Sequence, residues 1–287
     1  MLNQMNRDRA PWWLWPNLLS LDAPLVALAW YWMFAKAWGI VNLPASLAVT
    51  LALCVWAVYA LDRIIDSRRS RPRAALERRH FFHRKHRWVF VLAIVLAVSW
   101  SIWALLYYIA LTVLLYGFFV IFLVICYFLV TLFQRSDQHT GLLKNSIAGL
   151  TFAYGVAAGV HAYSPVLAFQ QMIFSWEVLL FGGLCIINMT AIDFWELDGE
   201  DAEDATALIG TATLLLAGVS MFLSTRGDAF NKPFFYSVMI GFAGIYLLNK
   251  YRSQLDQEAR RLWVDLALLA PVLGYWLWIS FYEHNIA

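Results

Sequence analysis

Residues 88–133, WVFVLAIVLAVSWSIWALLYYIALTVLLYGFFVIFLVICYFLVTLF, run for 46 positions without a single charged side chain. As one α-helix the stretch measures about 69 Å at about 1.5 Å per residue. That is more than twice a hydrocarbon core of roughly 30 Å, which about 20 apolar residues cross. The stretch therefore reads as two crossings joined by a tight turn near residues 108–111. Backbone groups in lipid find no water to bond, so each crossing closes its own hydrogen bonds as a helix. The whole chain agrees: 62% of its 287 residues are hydrophobic and 14% charged, whereas a soluble domain carries about 25% charged residues.

The same reading extends outward in both directions and predicts spans near 17–41, 45–62, 88–107, 110–133, 144–163, 172–193, 206–224, 234–249 and 262–282. The expected fold is all-α, a polytopic bundle of nine transmembrane helices forming one domain over residues 1–287. At the N-terminus, Arg7 and Arg9 precede no small-residue cleavage site, and Asp22 with Pro24 interrupts what would be the apolar region of a signal peptide. The first helix is therefore expected to be retained. Cys54, Cys126 and Cys185 all fall within predicted spans, where they read as small apolar packing groups.

Cytoplasmic loops keep Lys and Arg, so the basic residues set the orientation. With the N-terminus inside, eighteen of the 21 face the cytoplasm, ten of them between positions 63 and 87. Lys36, Arg226 and Lys232 are left over, and Lys36 can snorkel from the end of its helix. The expected location is the inner (cytoplasmic) membrane. The net charge of +2 hides this polarity, which accounts for the basic face through attraction to membrane lipids without any nucleic-acid partner.

Two acidic segments interrupt the pattern on that side. YALDRIIDSRRSRPR closes the second span and places Asp62 and Asp66 four apart, on one helical face. AIDFWELDGEDAED closes the sixth, with seven acids between positions 193 and 204 and no basic residue among them. Like charges at helical spacing repel, and carboxylates near lipid need positive charge opposite them. Mg²⁺ suits this setting, because it is held by one or two carboxylates together with phosphate oxygens and water. A diphosphate between the two segments can be gripped by Arg63, Arg68, Arg69 and Lys144, with arginine binding in bidentate fashion. The alternative is a set of solvated helix ends joined by surface ion pairs, each worth little.

These segments resemble the UbiA superfamily of intramembrane prenyltransferases, whose members have nine helices and Asp-rich motifs at the cytoplasmic ends of helices two and six. VYALDRIID is similar to the latter half of the first motif, with Asp62 and Asp66 on its last two acidic positions and Val58 and Tyr59 where Asn and Asp would stand. DFWELDGE is similar to the second motif through Asp193, Glu196, Asp198, Gly199 and Glu200. SLDAPLVALAW and LKNSIAGLTFAYG are similar to family segments in helices one and five. The likeness covers about residues 17–205.

The resemblance implies Mg²⁺-dependent transfer of an isoprenyl group from its diphosphate to an aromatic or other lipophilic acceptor. Asp62, Asp66, Glu196 and Glu200 would be catalytic. Asp62 and Asp66 would hold one metal ion, and Glu196, Glu200 and Asp193 a second. Arg63, Arg68 and Lys144 would hold the diphosphate. Two rivals are a terpene cyclase of the same superfamily and a non-enzymatic membrane protein with a depleted metal site. His80, His83 and His86 share a face if helical, but the segment reads as interfacial and basic rather than as a metal site.

Overall fold

The computed structural model describes residues 14–69, 78–133, 138–164, 168–195, 200–228 and 230–286. Its helices are α1 (Trp15–Leu18), α2 (Asp22–Ala37), α3 (Ala45–Arg69), α4 (Arg78–Lys85), α5 (Arg87–Tyr107), α6 (Leu111–Phe133), α7 (Gln138–His161), α8 (Phe169–Ile173), α9 (Trp176–Phe194), α10 (Glu200–Arg226), α11 (Asn231–Tyr251) and α12 (Gln257–Ile286). Among the described residues, six segments are long and apolar enough to cross a membrane: Ala45–Ser67, Arg87–Tyr107, Leu111–Phe133, Phe169–Phe194, Glu203–Arg226 and Ala259–Phe281. This is the architecture of a helical membrane protein. Helices α2, α7 and α11 cover the other three predicted spans but fall outside that set. At 16 residues, α2 is about 24 Å long, short of a full hydrocarbon core.

The uncharged stretch divides as its length requires, between α5 and α6. The two arms pack more on α3 and α7 than on each other, and they turn Leu92, Leu96, Leu106, Leu115, Phe118 and Phe122 outward. The first predicted span is instead broken. Ser20 takes a positive φ of 59°, an uncommon conformation for a residue with a β-carbon, and it separates α1 from α2. The continuous helix expected from residue 17 is thus corrected to a short turn followed by a helix starting at Asp22. Helix α3 runs beyond the predicted end at 62, so Asp66 is helical.

Helices α2 and α9 form the interior. Trp30 stacks on Phe181 at 4.2 Å, meets Phe234 edge-on at 5.6 Å, and donates through its indole N–H to the Leu268 carbonyl at 2.9 Å. A buried indole is satisfied only if such a partner is available. Close approach of α7 to α9 requires Gly149: a Cβ there would lie 2.7 Å from the backbone nitrogen of Ile186. Small residues at helix contacts are how membrane helices gain packing when lipid already solvates their apolar faces.

Polar ties knit the end of the bundle where α9 finishes. Trp195 donates to Asn249 at 2.9 Å, Asn249 to the Thr206 carbonyl at 2.9 Å, and Arg260 to the Trp195 carbonyl at 3.0 Å. Together they fix α9, α10, α11 and α12 at the level where the second acidic segment begins.

Candidate functional site

The C-terminal ends of α3 and α9 lie at the same end of the bundle, with the N-terminal part of α7 between them. Asp62 and Asp66 come from α3, Tyr127 from α6, Lys144 and Asn145 from α7, and Asp193 from α9. The Tyr127 hydroxyl donates to Asp62 Oδ1 at 2.5 Å. Lys144 Nζ stands 3.6 Å from Asp66 Oδ2 and also interacts electrostatically with Asp62 and Asp193. Asn145 Nδ2 donates to Asp193 Oδ2 at 2.7 Å. Consecutive residues of α7 therefore reach the two acidic segments in opposite directions, Lys144 toward α3 and Asn145 toward α9.

The spacing on α3 explains why two neighbouring positions serve different purposes. Asp62 and Asp66 share a face at i, i+4, whereas Arg63 is rotated about 100° away and points into the contact with α2. There Arg63 Nη2 lies 3.8 Å from Asp22 Oδ2 and donates to the Tyr59 hydroxyl. Asp22 Oδ2 also accepts from the Tyr59 hydroxyl at 3.1 Å and from Asn17 Nδ2 at 2.9 Å. Tyr59 occupies the position where the resembled motif carries an acid. The acid facing Arg63 comes instead from α2, and Tyr59 bridges the pair.

Helix α4 seals the same end. His83 is buried, bonds through Nε2 with Ser20 Oγ at 3.1 Å and stacks on Phe90 at 4.4 Å. Arg84 donates to the Ser67 carbonyl at 3.0 Å, capping a carbonyl in the last turn of α3. His83 thus serves as a docking group for the interfacial helix, and the left-handed turn at Ser20 presents the hydroxyl it needs.

Of the residues expected to act, the structure brings together Asp62, Asp66, Lys144 and Asp193. It places Arg63 beside them but turned toward Asp22. Glu196 lies outside the described residues, as do the side chains of Arg68 and Glu200. Sequence reasoning did not single out Tyr127 or Asn145. Tyr127 lies in a run of aromatic and aliphatic residues that offers no contrast, and Asn145 was overshadowed by the lysine before it.

The donor atoms of Asp62, Asp66 and Asp193 are all carboxylate oxygens, the chemistry that a hard cation such as Mg²⁺ prefers. Among the described residues no three His, Cys, Asp or Glu side chains stand close enough to enclose a metal. That arrangement is compatible with Mg²⁺, which commonly takes one or two protein carboxylates and completes its shell with phosphate oxygens and water. Compared with protein-family models, with curated proteins and with solved structures, the chain matches none.

Proposed function

We propose that this protein is an intramembrane, Mg²⁺-dependent prenyltransferase that moves an isoprenyl group from its diphosphate to a lipophilic acceptor. The observation that supports the reading is that Lys144 stands 3.6 Å from Asp66 while its neighbour Asn145 donates to Asp193 at 2.7 Å, so one end of α7 links two acidic segments 127 positions apart. Asp62 and Asp66 would hold one metal ion, and Asp193, Glu196 and Glu200 a second. Mg²⁺ when bound would neutralise charge on the departing diphosphate. Lys144 and Arg68 would bind phosphate oxygens, and Tyr127 and Asn145 would keep Asp62 and Asp193 in place. The apolar interior would keep water from the reacting carbon. Arg63 sits next to this set, and its engagement with Asp22 makes it a support for α3 more than a phosphate ligand.

In this reading nine helices cross the membrane, with α2, α7 and α11 shielded by the six more apolar spans. The two acidic segments and the N-terminus lie on the cytoplasmic side of the inner membrane. A second reading, a non-enzymatic membrane protein on the same bundle, draws on the bonds that Asp62, Asp66 and Asp193 already make to Tyr127, Lys144 and Asn145. Terpene cyclisation would use the same ionisation step and differ only in its product.

A binding titration separates the metal-dependent readings from the non-enzymatic one. Purified protein is expected to bind geranylgeranyl diphosphate in excess Mg²⁺ and to lose it in chelator. Equal affinity in both conditions would remove the metal from the reading, and no binding in either would favour the non-enzymatic protein.

A further inference from the structure

Helix α4 and the first turn of α5 present two different faces. On the inner one, His83 bonds Ser20 and stacks on Phe90, and Phe82 meets the rings of Trp15 and Phe90 edge-on at 6.1 Å each. Arg84 ties this face to α3 through the Ser67 carbonyl. The outer face carries Phe81, 62% exposed, and Trp88, just past the break at His86, 71% exposed. Lys85 and Arg87 are exposed between these two rings, and Trp15, which touches Phe82, is exposed as well. The Arg87 guanidinium lies 5.0 Å from the centre of the Trp88 ring. Neither Lys85 nor Arg87 makes an ion pair with a described residue.

An apolar segment able to cross the membrane begins at Arg87, so this patch falls where hydrocarbon gives way to headgroups. Aromatic rings favour that boundary, and lysine and arginine beside it attract anionic lipid. A soluble polyanion would use the cations and leave the rings in water. A lipid without net charge would use the rings and leave the cations unmatched. A lipid with a negative headgroup uses both. We propose that α4 and the first turn of α5 form a docking site for an anionic phospholipid, with its phosphate between Lys85 and Arg87 and its upper chains against Phe81 and Trp88. A lipid held there also holds α4, and with it the bonds from His83 to Ser20 and from Arg84 to Ser67 that secure the ends of α2 and α3. The site does not depend on the chemistry of the acidic segments.

The experiment measures phosphatidylglycerol and phosphatidylcholine retained by the purified full-length protein, by native mass spectrometry from detergent. The parent is expected to hold phosphatidylglycerol the more tightly. Lys85→Gln and Arg87→Gln should each weaken it about fivefold and the double variant about twentyfold, the scale of one surface cation facing anionic lipid. Arg226→Gln removes a cation that lies 4.5 Å from the Phe222 ring at the other end of the bundle, and should leave retention unchanged. In lipid nanodiscs, adding phosphatidylglycerol to phosphatidylcholine should raise the Tm of the parent by about 2–4 °C, and the double variant should lose that increment while melting with the parent in phosphatidylcholine alone.

Equal retention of the two lipids by the parent overturns the site. So does an equal loss in Arg226→Gln, which would show that retention follows overall charge. A double variant that melts lower in phosphatidylcholine alone would make Lys85 and Arg87 braces of the fold, and overturns their role as headgroup partners.

Discussion

Two acid–base pairs stand one helical turn apart on α3, and they differ in nearly every respect that decides what such a pair is for. Arg63 and Asp22 are enclosed, their side chains 8% and 11% exposed. Tyr59 and Asn17 donate to the carboxylate oxygen that faces Arg63. Lys144 and Asp66 are more open, at 18% and 35%. A sealed and balanced pair stabilises a helix contact. An open pair keeps its groups within reach of solvent and solutes and contributes less to the contact. The difference shows that Arg63 serves the contact between α2 and α3, while Asp66, one turn further on, stands at a more open position beside Lys144.

The sharpest way to break this comparison is to neutralise the open side. On the proposed reading, Asp62→Asn and Asp66→Asn should each reduce prenyl transfer by at least about a hundredfold, on the scale lost when charge stabilisation at a reacting centre is removed. Extraction and melting of the folded protein should stay close to the parent. Full turnover in both variants would place the chemistry elsewhere in the molecule.

The sealed side should respond in the reverse sense. Arg63→Met leaves Asp22 buried without its charge partner, and breaking an enclosed pair from one side costs about 3–5 kcal/mol. Thermal denaturation in detergent should show this as a large fall in Tm. Lys144→Gln, at a more exposed pair, should cost about 1 kcal/mol or less. Similar losses for the two variants would erase the distinction between them.

A smaller effect is expected from the helix contact that aligns the two acidic segments. Gly149→Ala forces a Cβ to within 2.7 Å of the Ile186 nitrogen, and overpacking of this kind costs about 1–3 kcal/mol. Because Gly149 is about one turn from Lys144 and Asn145 on α7, the proposed reading expects the variant to lose diphosphate affinity as well as stability. Gly155→Ala, whose added Cβ would make only an ordinary 3.6 Å contact with Val120, is the control and should change neither. A Gly149→Ala protein as stable and as tight-binding as the control would show that α7 has room to shift.

Residues 88–133 determined their own structure almost completely. Their length forced two helices, their lack of charge forced both into lipid, and the turn between Tyr107 and Leu111 falls where the arithmetic places it. Hydropathy is a local property summed along the chain, so it can be read before any contact is known. The same holds for Asp62 and Asp66 sharing a face, since helical periodicity alone sets that. The break at Ser20 could not be read this way, because its left-handed backbone is maintained by a buried bond to His83, 63 positions further on.

The partners of the acids were likewise decided in three dimensions. Tyr127 is one aromatic among many until α6 packs on α7 and its hydroxyl reaches Asp62. Arg63 reads as a phosphate ligand until α2 delivers Asp22 to it. Lys144 and Asn145 join two acidic segments because Gly149 lets α7 and α9 approach to backbone distance. Charge spacing along the sequence shows that the acids need cations, whereas the choice of cation depends on helix packing, which brings together residues that no local pattern relates.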